Sequence, residues 1–233
     1  YIEEHIPNAI FFDLDKNSKS DTNLPHMLTD IKSWEEIMNN MGISNDSRIV
    51  VYDNSDVISA CRCWYNLIYF GHDPNLVHVL NGGFKKWKGE NRVTNNDCVI
   101  TKTSKYLCKE NCNLVKSKKQ IDENIIKMEF NVIDARSKDR FNGKVAEPRR
   151  GLKSGSIKNS YCLPYSDLIS EDHTFISNDK IQEKFMALKL DHTKNLVFSC
   201  GSGVTASVLA LAYSLINDKY RPCIYDGSWA EYG

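Results

Sequence analysis

Three stretches of this chain occur twice. VVYDNSDVISA at 50–60 returns as LVFSCGSGVTA at 196–206, HIPNAIFFDL at 5–14 as SIKNSYCLPY at 156–165, and LNGGF at 80–84 as YDGSW at 225–229. The copies lie roughly 145 to 151 residues apart, far beyond solenoid spacing, so the pattern reads as a duplicated domain rather than an array. Each copy alternates short apolar or β-branched runs with helical segments. That alternation implies an α/β fold, with a mainly parallel sheet and helices on both faces in each copy. A chain of 233 residues is long enough to bury a sizeable core in two such units.

In the first copy, residues 5–12 read as a loop entering a short strand, with Pro7 fixing the turn, and 13–27 as polar and irregular. Ser33 starts a helix, Glu36 completes a capping box, and Gly42 ends it. A strand at 48–52, a loop at 53–59, a helix at 60–70 stopped by Gly71 and a strand at 76–80 follow. Asn81-Gly82-Gly83 then turns into a short helix around Trp87. Periodicity disappears between 88 and about 116, where asparagine, threonine and lysine dominate, and returns with a helix at 117–128 and a strand at 131–134. The expected organisation is a first domain at 1–92, a linker at 93–116 and a second domain at 117–233. The second copy carries a strand and NVIDAR upstream of its SIKNS segment, whereas nothing precedes HIPNA beyond Tyr1 to Glu4. An additional strand ahead of the first copy is therefore expected in the natural chain, with a slot for it in the first sheet.

Charge and cysteine usage exclude several classes. Lysine plus arginine and aspartate plus glutamate number 30 each, so no global field points to nucleic acid or an anionic membrane surface. No apolar run approaches the ~20 residues of a membrane span, and the opening residues lack a basic-then-apolar signal pattern. Eight cysteines are too dilute for a disulfide scaffold. Cys61-x-Cys63 and Cys108-x-x-x-Cys112 lack a second half with metal spacing, so neither metal nor cofactor is expected. Reduced thiols in a cytoplasmic setting are the default.

The chemistry concentrates at 195–215, NLVFSCGSGVTASVLALAYSL. A buried strand, a glycine-broken turn at 199–205 and an apolar helix from 206 place Cys200 at the carboxyl end of a strand. Loop amides and a helix N-terminus then lie near its sulfur. Such partial positive charge favours a nucleophilic thiolate, and Gly201 and Gly203 let the backbone curl around it. A buried structural thiol is the commoner fate of a free cysteine. The strand end, the two glycines and the helix argue for a nucleophile here. Asp53 falls opposite Cys200 in the repeat, so only the second copy carries a nucleophile.

CGSGVT, together with HIPNAIFFDLD, HML at 26–28, VVYDNSD, NGGFKKW, DARSKDRF at 134–141, EPRRG at 147–151 and YDGSW, resembles the mercaptopyruvate sulfurtransferases of the rhodanese superfamily along nearly the whole chain. The resemblance implies two tandem rhodanese-like domains. It also implies a reaction in which sulfur from 3-mercaptopyruvate passes to Cys200 as a persulfide, releasing pyruvate, and on to a small thiol, a thioredoxin-like protein or cyanide. By the same resemblance, Arg140 and Arg149 anchor the carboxylate and ketone, while amides from Gly201 and Gly203 to Val204 and Thr205 hold the persulfide. Ser202, His26 and Asp15 would form a hydrogen-bonded relay across the domain cleft. Arg136 reads instead as a tie between the strand end and the fold. GSIKN at 155–159 departs from the family's GHIPG, and Ser156 is given no role.

Three other readings compete. Thiosulfate sulfurtransferases typically place basic residues in this loop, because a doubly charged donor needs cations near the sulfur; residues 200–205 contain none. A cysteine phosphatase or arsenate reductase needs an arginine where this chain has Ala206. A non-catalytic scaffold carrying persulfide has no need of the cysteine, both arginines and the relay together.

Overall fold

Every residue from Tyr1 to Gly233 is described in the computed structural model. The second half holds a five-stranded, wholly parallel sheet in the order β3 (Val115–Lys116), β7 (Ile224–Tyr225), β6 (Asn195–Ser199), β4 (Phe130–Asp134), β5 (Tyr161–Cys162). Successive strand side chains point to opposite faces, and the core divides accordingly. Ile133, Leu196, Phe198 and Ile224 enter one apolar cluster with α7 (Val204–Ser214). Val132, Val197 and Tyr225 enter another with Ile121 of α4 (Lys118–Lys127) and Trp229 of α8 (Ser228–Tyr232). Consecutive apolar residues, Val132-Ile133 in β4 and Leu196-Val197-Phe198 in β6, are what burial on both faces demands.

The first half is smaller. β1 (Ile49–Val51) and β2 (Val77–Val79) pair in parallel, with α1 (Ile31–Asn40), α2 (Ala60–Tyr69) and α3 (Gly83–Gly89) around them. Where β6 has β4 on one side and β7 on the other, β1 has only β2. Along its other edge Val50 is exposed, and a groove of about 530 Å³ runs past Phe12, Met38, Met41 and Ile43. The halves share one core, in which Trp34, Tyr65 and Phe70 belong to the same cluster as Phe198 and Leu209, and α2 packs on α7. A large apolar interface of this kind holds two domains at a defined angle, which fixes the cleft between them.

Two local expectations are corrected. Residues 5–12 form no strand; only His5 bridges, to Asn95, because Asn8 turns the chain at positive φ and no neighbouring strand lies alongside. The first helix begins at Ile31 rather than Ser33, since the Asp30 carboxylate is the better cap and accepts from both Ser33 N and Ser33 Oγ. The segment expected as a linker, 93–116, packs against the first domain. Tyr106 is buried and stacks on His72, Lys109 and Asn111 bond the backbone of Phe70 and Tyr69, and the segment ends as the edge strand β3.

Candidate active site

β6 ends at Ser199, and Cys200 follows it directly into a turn that Gly203 closes at φ +80°. α7 starts at once at Val204, two residues earlier than its sequence suggests, because a left-handed glycine can cap a helix without a spacer. Val204 and Thr205 thus contribute first-turn helix amides rather than loop amides. The amides of Cys200 and Gly203 are both taken by Ser228 Oγ at 3.1 Å. Those of Gly201, Ser202, Val204 and Thr205 have no acceptor within the protein. From below, Trp229 N and Ala230 N bond the carbonyls of Cys200 and Gly201, each at 2.9 Å. The result is a braced cup whose free N–H groups can hold an anionic sulfur.

Cys200 is itself 1% exposed and belongs to the apolar core that the two halves share. Two guanidiniums come close to its neighbour. A Cβ on Gly201 would lie 3.3 Å from Arg140 Nη2 and 3.6 Å from Arg149 Nη1. Arg140, on the short helix α5 (Lys138–Phe141), is held by Glu147 through Nε at 3.1 Å and Nη2 at 2.5 Å. Glu147 also accepts from Arg136 at 2.8 Å. Arg136 is fully buried, clamps Asp134 at 2.7 Å, and lies over the Trp229 ring, so it ties the strand end to the fold. Burial pushes the Glu147 carboxyl upward, but hydrogen bonds and charge from Arg140 and Arg136 outweigh it and hold its pKa below the ordinary glutamate range.

On the other side of the cup, His26 reaches across from the first domain. Its Nδ1 is 2.9 Å from Ser202 Oγ and its Nε2 is 2.9 Å from Asp15 Oδ1. Burial pulls its pKa below the ordinary histidine value; Asp15 opposes this, and Arg149 and Arg62 add to it. The neutral ring then donates Nε2–H to the carboxylate and accepts the Ser202 hydroxyl proton at Nδ1. Arg149 Nη2 stands 3.5 Å from the same hydroxyl.

Around one loop the structure therefore gathers Cys200, Gly201, Ser202, Gly203, His26, Asp15, Arg140 and Arg149. In the first copy, Phe84 N bonds Asp53 O at 2.8 Å as Trp229 N bonds Cys200 O, so the two carbonyls occupy matching places. The Asp53 carboxylate accepts from Ala60 N, Ser55 Oγ and Ser59 Oγ, filling its own cradle. Four contributors escape a sequence reading. Glu147, Asp226 and Ser228 lie inside motifs that are visible (EPRRG and YDGSW), while Arg62 shows only as a lone charge in the apolar helix ACRCWYNLIY.

A model of the rhodanese-like domain matches residues 1–90 and 117–233. The 3-mercaptopyruvate sulfurtransferase of Rattus norvegicus is 34% identical over 232 residues, covering 99% of this chain and 77% of the relative. The thiosulfate sulfurtransferase of Bos taurus is 35% identical, covering 100% of this chain and 78% of the relative. Among solved structures, the 3-mercaptopyruvate sulfotransferase SseA from Escherichia coli superposes with a TM-score of 0.86 at 30% identity, over 98% of this chain and 84% of that one. Tum1 from Saccharomyces cerevisiae does so at 0.87 and 28% identity, over 99% and 81%. This chain belongs to the rhodanese family.

Proposed function

We propose that the protein is a sulfurtransferase that takes sulfur from 3-mercaptopyruvate through a Cys200 persulfide and passes it to a thiol, a thioredoxin-like protein or cyanide. The Cys200 thiolate attacks the donor sulfur. The new S–S bond forms as the donor C–S bond breaks, and the electron pair leaves on the enolate of pyruvate. That enolate takes up the proton the donor thiol brought, passed on through the Ser202 hydroxyl that is hydrogen-bonded to His26, so the outer sulfur is left anionic. Arg140 and Arg149 hold the carboxylate and the developing enolate oxygen, and the unbonded amides of the cup receive the terminal sulfur. The acceptor then removes the outer sulfur and returns Cys200 to its thiolate.

One observation carries the choice of donor. Residues 200–205 contain no cation, and of the two guanidiniums beside the loop Arg140 is already paired with Glu147, which leaves Arg149 as the one without a carboxylate partner. A single charge suits a monocarboxylate better than a dianion. The thiosulfate alternative is kept in view because relatives of similar identity carry that name. Relative turnover on the two donors, with mass spectrometry of the loaded protein, is the test. The expected result is faster turnover with mercaptopyruvate and one added sulfur mapped to Cys200. Equal rates would overturn the donor assignment, and sulfur on another cysteine would overturn the nucleophile.

A reducing compartment such as the cytoplasm suits a chain whose eight cysteines are all free, and no helix is long and apolar enough to cross a membrane.

A further inference from the structure

Arg62, on α2 of the first domain, is completely buried, and its guanidinium lies behind the cysteine cup. Its Nη2 donates to the His26 carbonyl at 2.7 Å and to Asp226 Oδ1 at 2.6 Å. Asp226, just after β7 in the second domain, uses its other oxygen to accept from Leu28 N at 2.9 Å. The backbone immediately at and after His26 is thus tied to a single ion pair that crosses the domain boundary. His26 needs such a tie. It sits in a stretch with neither helix nor strand, at φ +59°, where its ring must span Asp15 and Ser202 at once.

The guanidinium is also incompletely satisfied. Nε and Nη1 of Arg62 have no hydrogen-bond partner although both are buried. Nη1 is set so close to Gly203 that any side chain there would collide with it. Leaving donors of a buried guanidinium unmet costs stability, so the placement of Arg62 calls for a reason beyond packing. The same cation adds to the field that keeps His26 neutral.

We propose that the Arg62–Asp226 pair aims His26 at Ser202, making both members positioning residues for sulfur transfer rather than ties between the domains. The inference rests on the sulfur-transfer reading and on the part His26 plays in it. Its signature is coupling. Removing Arg62 releases the His26 carbonyl and frees Asp226 to swing, so the part of the loss that travels through His26 should vanish once His26 itself is replaced.

The test is a double-mutant cycle on the full chain, comparing Arg62→Met, His26→Gln and the two together, with kcat and KM for 3-mercaptopyruvate and a thermal melt for each. Arg62→Met is expected to lower kcat by about tenfold with KM within about twofold, and to cost less than about twofold more once His26 is glutamine. Arg62→Lys, whose ammonium can donate to both oxygens, should recover most of the loss. Asp226→Asn replaces Arg62→Met in the cycle if the latter does not fold. Additive losses, or a melt that falls while kcat stands, would assign the pair to stability and overturn the proposal, as would failure of both variants to fold. If His26→Gln keeps full kcat, the relay fails with it, while sulfur loading of Cys200 by mercaptopyruvate still tests the sulfurtransferase reading separately.

Discussion

Ser228 Oγ accepts the amide proton of Cys200 at 3.1 Å, and at the same distance it accepts that of Gly203. One hydroxyl therefore pins both ends of the turn that carries the nucleophile, and it donates its own hydrogen bond to the Tyr225 carbonyl at 2.8 Å. Ser228 holds this place at φ +49°, a conformation that side chains other than glycine adopt at a cost.

Replacing that hydroxyl tests the brace. Ser228→Ala leaves two buried N–H groups without a partner, at about 1–3 kcal/mol for each. A loss of about 2 kcal/mol in urea unfolding is expected, with Cys200 loaded more slowly by mercaptopyruvate. An unchanged loading rate would show that the cup keeps its shape unaided.

Glu147→Gln tests whether Arg140 must be held in place. The variant keeps the shape but loses the charge-assisted pair, so KM for mercaptopyruvate should rise about tenfold, more than kcat falls. Because the folded-state pKa of Glu147 lies below its unfolded value, its stabilising contribution is present above the unfolded value near 4.3 and is lost as pH falls through the folded one. Stability of the glutamine variant should accordingly depend less on pH on the acid side, which acid titration of unfolding reads directly.

His26 predicts an acid limb. Its folded pKa is depressed, so below about 6.5 the unfolded chain binds the proton first, and stability falls with pH until the folded value is passed. Protonated His26 cannot accept from Ser202, so kcat should drop over the same range, below the ordinary histidine value. A pH–rate profile of His26→Gln should lack that limb; if the limb persists, another group is responsible.

Asp53 marks the first copy as support. Its three hydrogen-bond donors all lie within residues 55–60, at the start of α2. Asp53→Ala should cost about 1–3 kcal/mol of stability and leave kcat/KM for mercaptopyruvate within about twofold. A large change in KM would place substrate against the first copy.

Much of this arrangement was legible before any folding. The strand–turn–helix around Cys200 follows from an apolar run, two glycines and an alanine-rich segment, and the structure shifts the helix start only from 206 to Val204. The cap of α1 is Asp30 rather than Ser33, because a carboxylate with two oxygens accepts both the amide and the hydroxyl of that serine. Residues 5–12 carry a strand-like pattern, but a strand exists only where a partner strand lies beside it. Segment 93–116 has no periodicity and still folds onto the first domain, through Tyr106 and backbone bonds that composition does not reveal.

By itself, then, the sequence determined the duplication, the α/β layering, the uncharged glycine turn and the cysteine within it. Tertiary structure alone decided which distant groups meet there. His26 and Ser202 are 176 positions apart, and Arg62 and Asp226 are 164 apart. Their meeting requires α2 to pack against α7 in one shared core. Backbone propensity acts over a few residues, whereas a side-chain pairing across a domain boundary exists only once the burial of that core has set the angle between the halves.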